Sequence, residues 1–290
     1  MPETTVISWP VVTLAALATV FVVMFSLGLG SRAGELRWAL GRPGLVARAL
    51  VAVLVMVPAV AVIVTSLLGL PRSVQVGLVV MAICPGAPVA LRRSLDAGGH
   101  HSFATALQLL MATLAIVTMP LSIALLNPFY AGHATISPSE VARQVGMAQL
   151  LPLGLGLLAR WLAPALAMRV EPIVTKVAGL MLIAFALLLV LVIWRTVLGA
   201  APVTILTIVG LTVTALAIGH AMGAPAADTR TSVAMASAMR NPGLALLVGA
   251  ANNATPEMIA TIMACALWSA VTVTPYALWR AKIARQASRL

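Results

Sequence analysis

Apolar runs long enough to cross a membrane follow one another along almost the whole chain, separated by short polar breaks. A helix rises about 1.5 Å per residue, so roughly 20 apolar residues cross a hydrocarbon core of about 30 Å. Runs of this kind fall at Trp9–Gly30, Leu45–Gly69, Arg72–Ala97, Ser102–Leu126, Ser139–Trp161, Pro172–Arg195, Pro202–Met222, Thr229–Ala251 and Pro256–Lys282. Nine transmembrane helices with short connections predict an all-α integral membrane protein, a single domain over residues 1–290 with no room for an extramembrane part.

Composition agrees with the pattern. The 290 residues are 61% hydrophobic and 9% charged, with a mean hydropathy of +1.07, whereas a soluble domain carries roughly 25% charged residues. A net charge of +11 would suit a nucleic-acid binder only on a soluble face, and these cations lie mostly between apolar runs; no nucleic-acid partner is expected. Cys84 and Cys265 both fall inside apolar segments, so neither a disulfide framework nor a metal-ligand cluster is predicted. Met1–Ser8 carries Glu3 and no Lys or Arg, which predicts an ordinary first span rather than a cleaved signal.

The cations orient the bundle. With nine spans the termini lie on opposite sides, and fourteen of the 18 Lys and Arg residues then share the side of the C-terminus: Arg32, Arg37, Arg42, Arg48, Arg92, Arg93, Arg160, Arg169, Lys176, Arg230, Arg280, Lys282, Arg285 and Arg289. Arg72, Arg143 and Arg195 fall opposite, and Arg240 belongs to no loop. The positive-inside rule predicts N-out, C-in; a bacterial inner membrane is the expected location.

Two spans are interrupted halfway. The third reads Cys84-Pro85-Gly86-Ala87-Pro88, and the eighth reads Met239-Arg240-Asn241-Pro242-Gly243. Proline lacks the N–H that a helix needs, and glycine admits non-helical dihedrals. The breaks are five helices apart, and a five-helix unit has odd parity, so its second copy enters the membrane inverted. The halves would be approximately 9–126, lacking one helix, and 139–282. Interrupted segments at matching places in two halves point to a transporter's binding site; the alternative is that both are ordinary kinks.

At these two motifs the sequence resembles the bile acid/sodium symporter family, in which a Cys-Pro-Gly-Gly stretch breaks one helix, a Gln-Asn-Ser-Gly-Leu stretch breaks its inverted partner, and the two cross near the membrane centre. The likeness covers nearly the whole chain in span order. It implies a panel domain from spans one, five and six, a core domain from the other six, and an amphipathic substrate between them. It also implies departures at the sodium ligands. A Ser-Asn pair after the first break is Ala90-Leu91 here, a Glu and a Gln of the second crossing helix are Ala236 and Arg240, a Gln of the preceding helix is Val53, and hydroxyl ligands in the next helix are Ala104 and Gln108. Sodium, which needs several oxygen ligands, is therefore not expected, and no other cofactor or metal is.

Arg240 lies mid-span, where burial of a cation costs about 2.5–3.5 kcal/mol on insertion scales, so a cavity or a partner is expected beside it. It either pairs with Asp96 or Glu257, caps carbonyls of the opposite break, or supplies the positive charge that sodium supplies in relatives. Arg92 and Arg93 follow the first break by a turn and point about 100° apart, so one of them faces the cavity. The half-helix N-termini at Pro88 and Gly243 favour an anion. Candidate substrate-binding residues are thus Arg240, Asn241, Arg92, Arg93, Pro88, Gly243 and Met239, with Met235 and Leu244 expected along an apolar wall; Cys84, Pro85, Gly86, Pro242 and Gly243 make the breaks. His100, His101 and Asp96 are candidate proton sites, or interfacial polar residues.

No nucleophile with its base, no phosphate loop, no paired carboxylates and no metal spacing is present, so an enzyme is not predicted. The reading is a carrier of a small organic anion by alternating access, monomeric or weakly oligomeric in the bilayer, without sodium coupling. A sodium-coupled symporter, a sensor or an anion channel on the same fold stay open.

Overall fold

The protein is described by a computed structural model covering residues 9–129, 137–198, 201–251 and 254–287. Met1–Ser8 and Arg289 lie outside the described residues, as does the side chain of Arg195. Every described element is helical: α1 (Trp9–Gly30), α2 (Ala33–Leu40), α3 (Pro43–Val51), a π-helical turn (Ala52–Met56), α4 (Val57–Leu67), α5 (Arg72–Ile83), α6 (Pro88–Asp96) and α7 (His101–Leu126) with a short 3₁₀ turn (Asn127–Phe129). After it come α8 (Pro138–Val145), a second π turn (Gly146–Leu150), α9 (Leu151–Leu162), α10 (Pro164–Leu198), α11 (Pro202–Met222), α12 (Ala227–Ala238), α13 (Pro242–Ala251) and α14 (Pro256–Ala287).

Proline does much of the punctuation. α3, α6, α8, α10, α11, α13 and α14 all begin on a proline, whose fixed φ suits a first turn and whose missing N–H would be unsatisfied there anyway. Pro120, Pro172 and Pro275 instead sit inside helices, which membrane helices tolerate because neighbours re-satisfy the freed carbonyls. Pro172 is one place where observation departs from expectation: the sixth helix starts at Pro164, eight residues earlier than the apolar run suggests. α2 is another. The arginine-rich segment after α1 folds into a helix because Glu35 reaches back to accept the Arg32 N–H at 3.1 Å, a capping-box bond.

Pro43–Leu67, His101–Phe129, Pro138–Leu162, Pro202–Met222 and Pro256–Ala287 are each long and apolar enough to cross a membrane. Two bent pairs also qualify, Leu14–Gly30 with Gly34–Leu40 at 84° and Arg72–Ile83 with Pro88–Asp96 at 63°, so five to seven spans are counted among the described residues. Large apolar side chains such as Leu67 and Trp161 are 79% and 77% exposed, an outer surface suited to lipid rather than water. The chain is an all-α membrane protein.

Small residues set the closest helix approaches. α1 lies along α9 where Gly28 meets the Leu153 carbonyl and Gly156 meets the Phe25 carbonyl, leaving no space for a Cβ. α10 also packs on α1 and α9. On the other side Gly77 brings α5 against Thr261 of α14, and Gly219 brings α11 against Val233 and Ala234 of α12.

Candidate functional site: two crossing breaks and a flanking cavity

α5 stops at Ile83 because Pro85 and Pro88 have no N–H to continue it, and Cys84 turns extended at φ −91°, ψ 91°. Gly86 has a φ of +75°, a left-handed conformation that any Cβ would strain. α12 stops in the same way: Met239 is extended at φ −96°, ψ 108°, and Pro242 opens α13. The breaks touch. The Asn241 N–H donates to the Cys84 carbonyl at 3.1 Å, so the backbone of one interruption satisfies the other. Asn241 Oδ1 accepts the Leu244 N–H at 3.1 Å and caps α13. Gln108 of α7 donates from Nε2 to the Gly86 carbonyl at 2.7 Å.

Arg240 is 7% exposed and donates from Nη1 to the Val53 carbonyl at 2.9 Å. That carbonyl is free for a local reason. In the π turn the Val57 N–H bonds back five residues to Ala52; the next donor in that register would serve Val53, and it is Pro58. Pairing of Arg240 with Asp96 or Glu257, one of the three alternatives, is not found among the described residues: Glu257 accepts from Ser73 at 2.8 Å instead. Arg240 follows the last turn of α12, and its neighbour Asn241 is bonded to the end of α5. The negative dipole ends of two half-helices therefore lie beside its charge.

Three of the positions that the resemblance sets against sodium ligands, Val53, Ala236 and Ala90, have apolar surroundings as well as apolar side chains. Val53 and Ala236 pack together with Phe103, Leu107 and Met111, all buried, and Ala90 packs with Met235 and Met239 in a second cluster.

Two cavities flank the crossing. A small one of about 40 Å³, between α4, α5, α11, α12 and α14, is lined by Arg240, Ser237 and Ser269. A larger one of about 590 Å³ separates α1 and α10 from α6 and α7, well within the size range of ligand pockets. Pro88, Leu91, Arg92 and Leu95 form its α6 wall, Glu171, Thr175 and Lys176 stand on α10, and Gln108, Thr105 and His101 on α7.

Of the residues singled out for substrate, Pro88 and Arg92 line the larger cavity, while Arg240 lines the smaller. Arg93 points the other way and donates to Thr274 Oγ1 of α14 at 3.0 Å. Asn241 is buried in the crossing, Gly243 faces Val20 of α1, and Met235, Met239 and Leu244 are buried between helices rather than along the larger cavity.

The candidate proton residues also separate. His100 caps α7, its Nδ1 accepting the Phe103 N–H at 3.2 Å, with its ring centroid 4.0 Å from that of Trp38. His101 is exposed on the larger cavity, 3.7 Å from Glu35. Asp96 is the exposed last residue of α6 and does not line the cavity.

Three site features escaped the sequence reading. Glu171 and Lys176 look like loop and loop-edge charges when the helix is started at Pro172, and they become cavity residues once α10 begins at Pro164. The carbonyl role of Val53 is invisible in its side chain, though Pro58 five residues on was a readable sign. Gln108 was noted as a changed ligand position, whereas a lone amide in an apolar run also signals a backbone partner.

The sequence profile of the Sodium Bile acid symporter family matches residues 17–201. The match runs from α1 to the residue before α11 and takes in the first break, Val53, Arg92, Gln108 and Glu171, ending before Arg240. No curated protein matches the chain.

Proposed function

The chain belongs to the sodium bile acid symporter family, a family of membrane transporters and not enzymes, and we propose that it carries an organic anion by alternating access without sodium coupling. The observation that carries the reading is the bonded crossing of two broken helices beside a cavity whose α6 wall presents Arg92 and the half-helix N-terminus at Pro88. An anionic head meets a cation and a positive dipole end there, while Leu91, Leu95, Leu27 and Val23 accept an apolar body.

On this reading α1, α8–α9 and α10 form a panel that rocks against the remaining helices, and residues 9–126 and 139–282 are the two inverted halves of one transporter domain. The chain is oriented N-out, C-in by its cations. Asn241, Pro242, Gly243, Met239, Cys84, Pro85 and Gly86 maintain the crossing, and Arg93 ties α6 to α14.

Arg240 replaces the coupling ion. Two half-helix C-terminal ends and the freed Val53 carbonyl favour a cation at that point, and the aligned ligand positions Val53, Ala236 and Ala90 offer a mobile sodium no side-chain oxygen. A guanidinium stays charged and cannot leave, so it places a fixed positive charge at the crossing without linking it to an ion gradient.

The test is counterflow in proteoliposomes with a panel of carboxylates and sulfonates running from small aliphatic acids to steroid conjugates such as taurocholate. Saturable counterflow of at least one anion, equal in sodium and choline buffers, is expected. A steep, saturable sodium dependence would return the protein to ordinary symport, conductance without saturation would make it a channel, and binding without counterflow a sensor.

A further inference from the structure

We propose that Glu171 is the proton-binding group of the larger cavity, so that the organic anion and one proton are bound and moved together. The inference rests on the reading above, that an organic anion occupies this cavity, and names its coupling.

Glu171 stands on α10, across the cavity from the α6 wall. Its Oε1 accepts the Thr175 hydroxyl at 3.1 Å, and Thr175 Oγ1 lies 2.9 Å from Ser26 Oγ of α1. Gly30 of α1 faces the carboxylate, close enough that a Cβ there would be in ordinary contact with Oε1 at 3.5 Å. The two hydroxyls suit both protonation states. With the carboxylate ionised, Thr175 donates to it and accepts from Ser26; with the proton on Glu171, the carboxylic O–H donates to Thr175, which donates on to Ser26. No heavy atom has to move, because a hydroxyl rotates to suit its partners.

The other charged groups on the cavity come from every wall except α1: Arg92 on α6, Lys176 on α10 itself, Glu35 on α2 and His101 on α7. Glu35 is committed, one oxygen to the Arg32 N–H and the other 3.7 Å from His101. Neither Arg92 nor Lys176 lies within ion-pair distance of Glu171 among the described residues. Glu171 is therefore a cavity carboxylate with no ion-pair partner within 4.0 Å among the described residues. An organic anion entering the same space places a second negative charge beside it, and like charges disfavour the ionised form. Substrate thus raises the affinity of Glu171 for a proton, and by reciprocity the proton raises the affinity for substrate. The proton comes from water on the side to which the cavity is open and leaves to water on the other, so one monoanion with one proton crosses without net charge.

A sulfonate probe isolates the protein's titration, since it stays ionised throughout the pH range used. With taurocholate, or the sulfonate of the panel giving the largest counterflow, an outside-acid gradient of one pH unit should drive up to about ten-fold accumulation, the equivalent of 1.36 kcal/mol per unit. Internal pyranine should report acidification during uptake. Glu171→Gln should keep its melting temperature but lose gradient-driven accumulation and any dependence of its counterflow on pH, and Glu171→Asp should recover part of both. Accumulation by Glu171→Gln equal to wild type, or wild-type counterflow that no pH gradient biases, would overturn the proposal. Absence of counterflow in wild type would instead remove the carrier reading beneath it.

Discussion

The break after α5 and the break after α12 share a geometry and differ in what holds it. Each has an extended residue directly after the first half-helix, Cys84 or Met239, and a proline that opens the following one. The first is held from a distance: Gln108 of α7 bonds the Gly86 carbonyl, the Asn241 N–H bonds the Cys84 carbonyl, and Gly86 occupies a positive φ. The second carries its own cap, Asn241 Oδ1 to the Leu244 N–H three residues on, and Gly243 is not at a positive φ. One interruption is thus a tertiary structure in miniature. The other is written locally, in the way helix N-termini usually are.

That asymmetry predicts unequal responses to matched substitutions. The largest is at Gly86. A left-handed φ costs an L-residue about 1–2 kcal/mol, and it falls at the residue whose carbonyl Gln108 Nε2 bonds to close the break. Gly86→Ala should therefore lose most counterflow while inserting normally, and Gly86→Leu all of it. Gly243→Ala should retain more, because no left-handed φ strains it; its Cβ would meet Val20 Cγ2 of α1 at 2.8 Å, which has to shift, and Asn241 Oδ1 at 3.5 Å, an ordinary contact. Equal losses at both glycines would erase the distinction.

Next in size is Gln108→Leu, which leaves the buried Gly86 carbonyl without a donor at a cost of about 1–3 kcal/mol. It should lower the melting temperature in detergent and reduce transport without changing sodium independence. Gln108→Glu, which cannot donate when ionised, should not rescue it, and an unchanged melting temperature in Gln108→Leu would mean that the first break holds itself. The smallest effect is expected at Asn241→Ala, which removes a helix cap worth about 1 kcal/mol but keeps the backbone bond to Cys84. Asn241→Ser should restore most of that stability, and a loss from Asn241→Ala exceeding that from Gln108→Leu would reverse the comparison.

Much of this site was legible. The ends of α1 and α11 coincide with the apolar runs Trp9–Gly30 and Pro202–Met222, since there the hydrophobic pattern stops where the helix does. Both interruptions could be read because proline and glycine act on the backbone locally, and the burial of Arg240 followed from its distance to either end of the span. The pairing of Arg240 was not legible. Its partner is a main-chain carbonyl in another helix, exposed by a π turn, and no side-chain type records such an acceptor. Nor was the segregation of Arg240 and Arg92 into different cavities, which depends on how half-helices rotate once they cross.

By itself, then, the sequence determined an all-α membrane chain, the two places where helices must break and a lone mid-span cation, because each follows from local backbone chemistry or from hydropathy over about 20 residues; membership of a transporter family came from the resemblance of its motifs and the family match over residues 17–201. Only the tertiary structure decided which carbonyl receives Arg240, which of the adjacent arginines faces the larger cavity, and that Glu171 belongs to it. Those outcomes depend on the helix start at Pro164 and on packing between segments more than a hundred residues apart, such as Ser26 with Thr175. A periodicity of 3.6 residues fixes neighbours on one helix and says nothing about the face it meets on another.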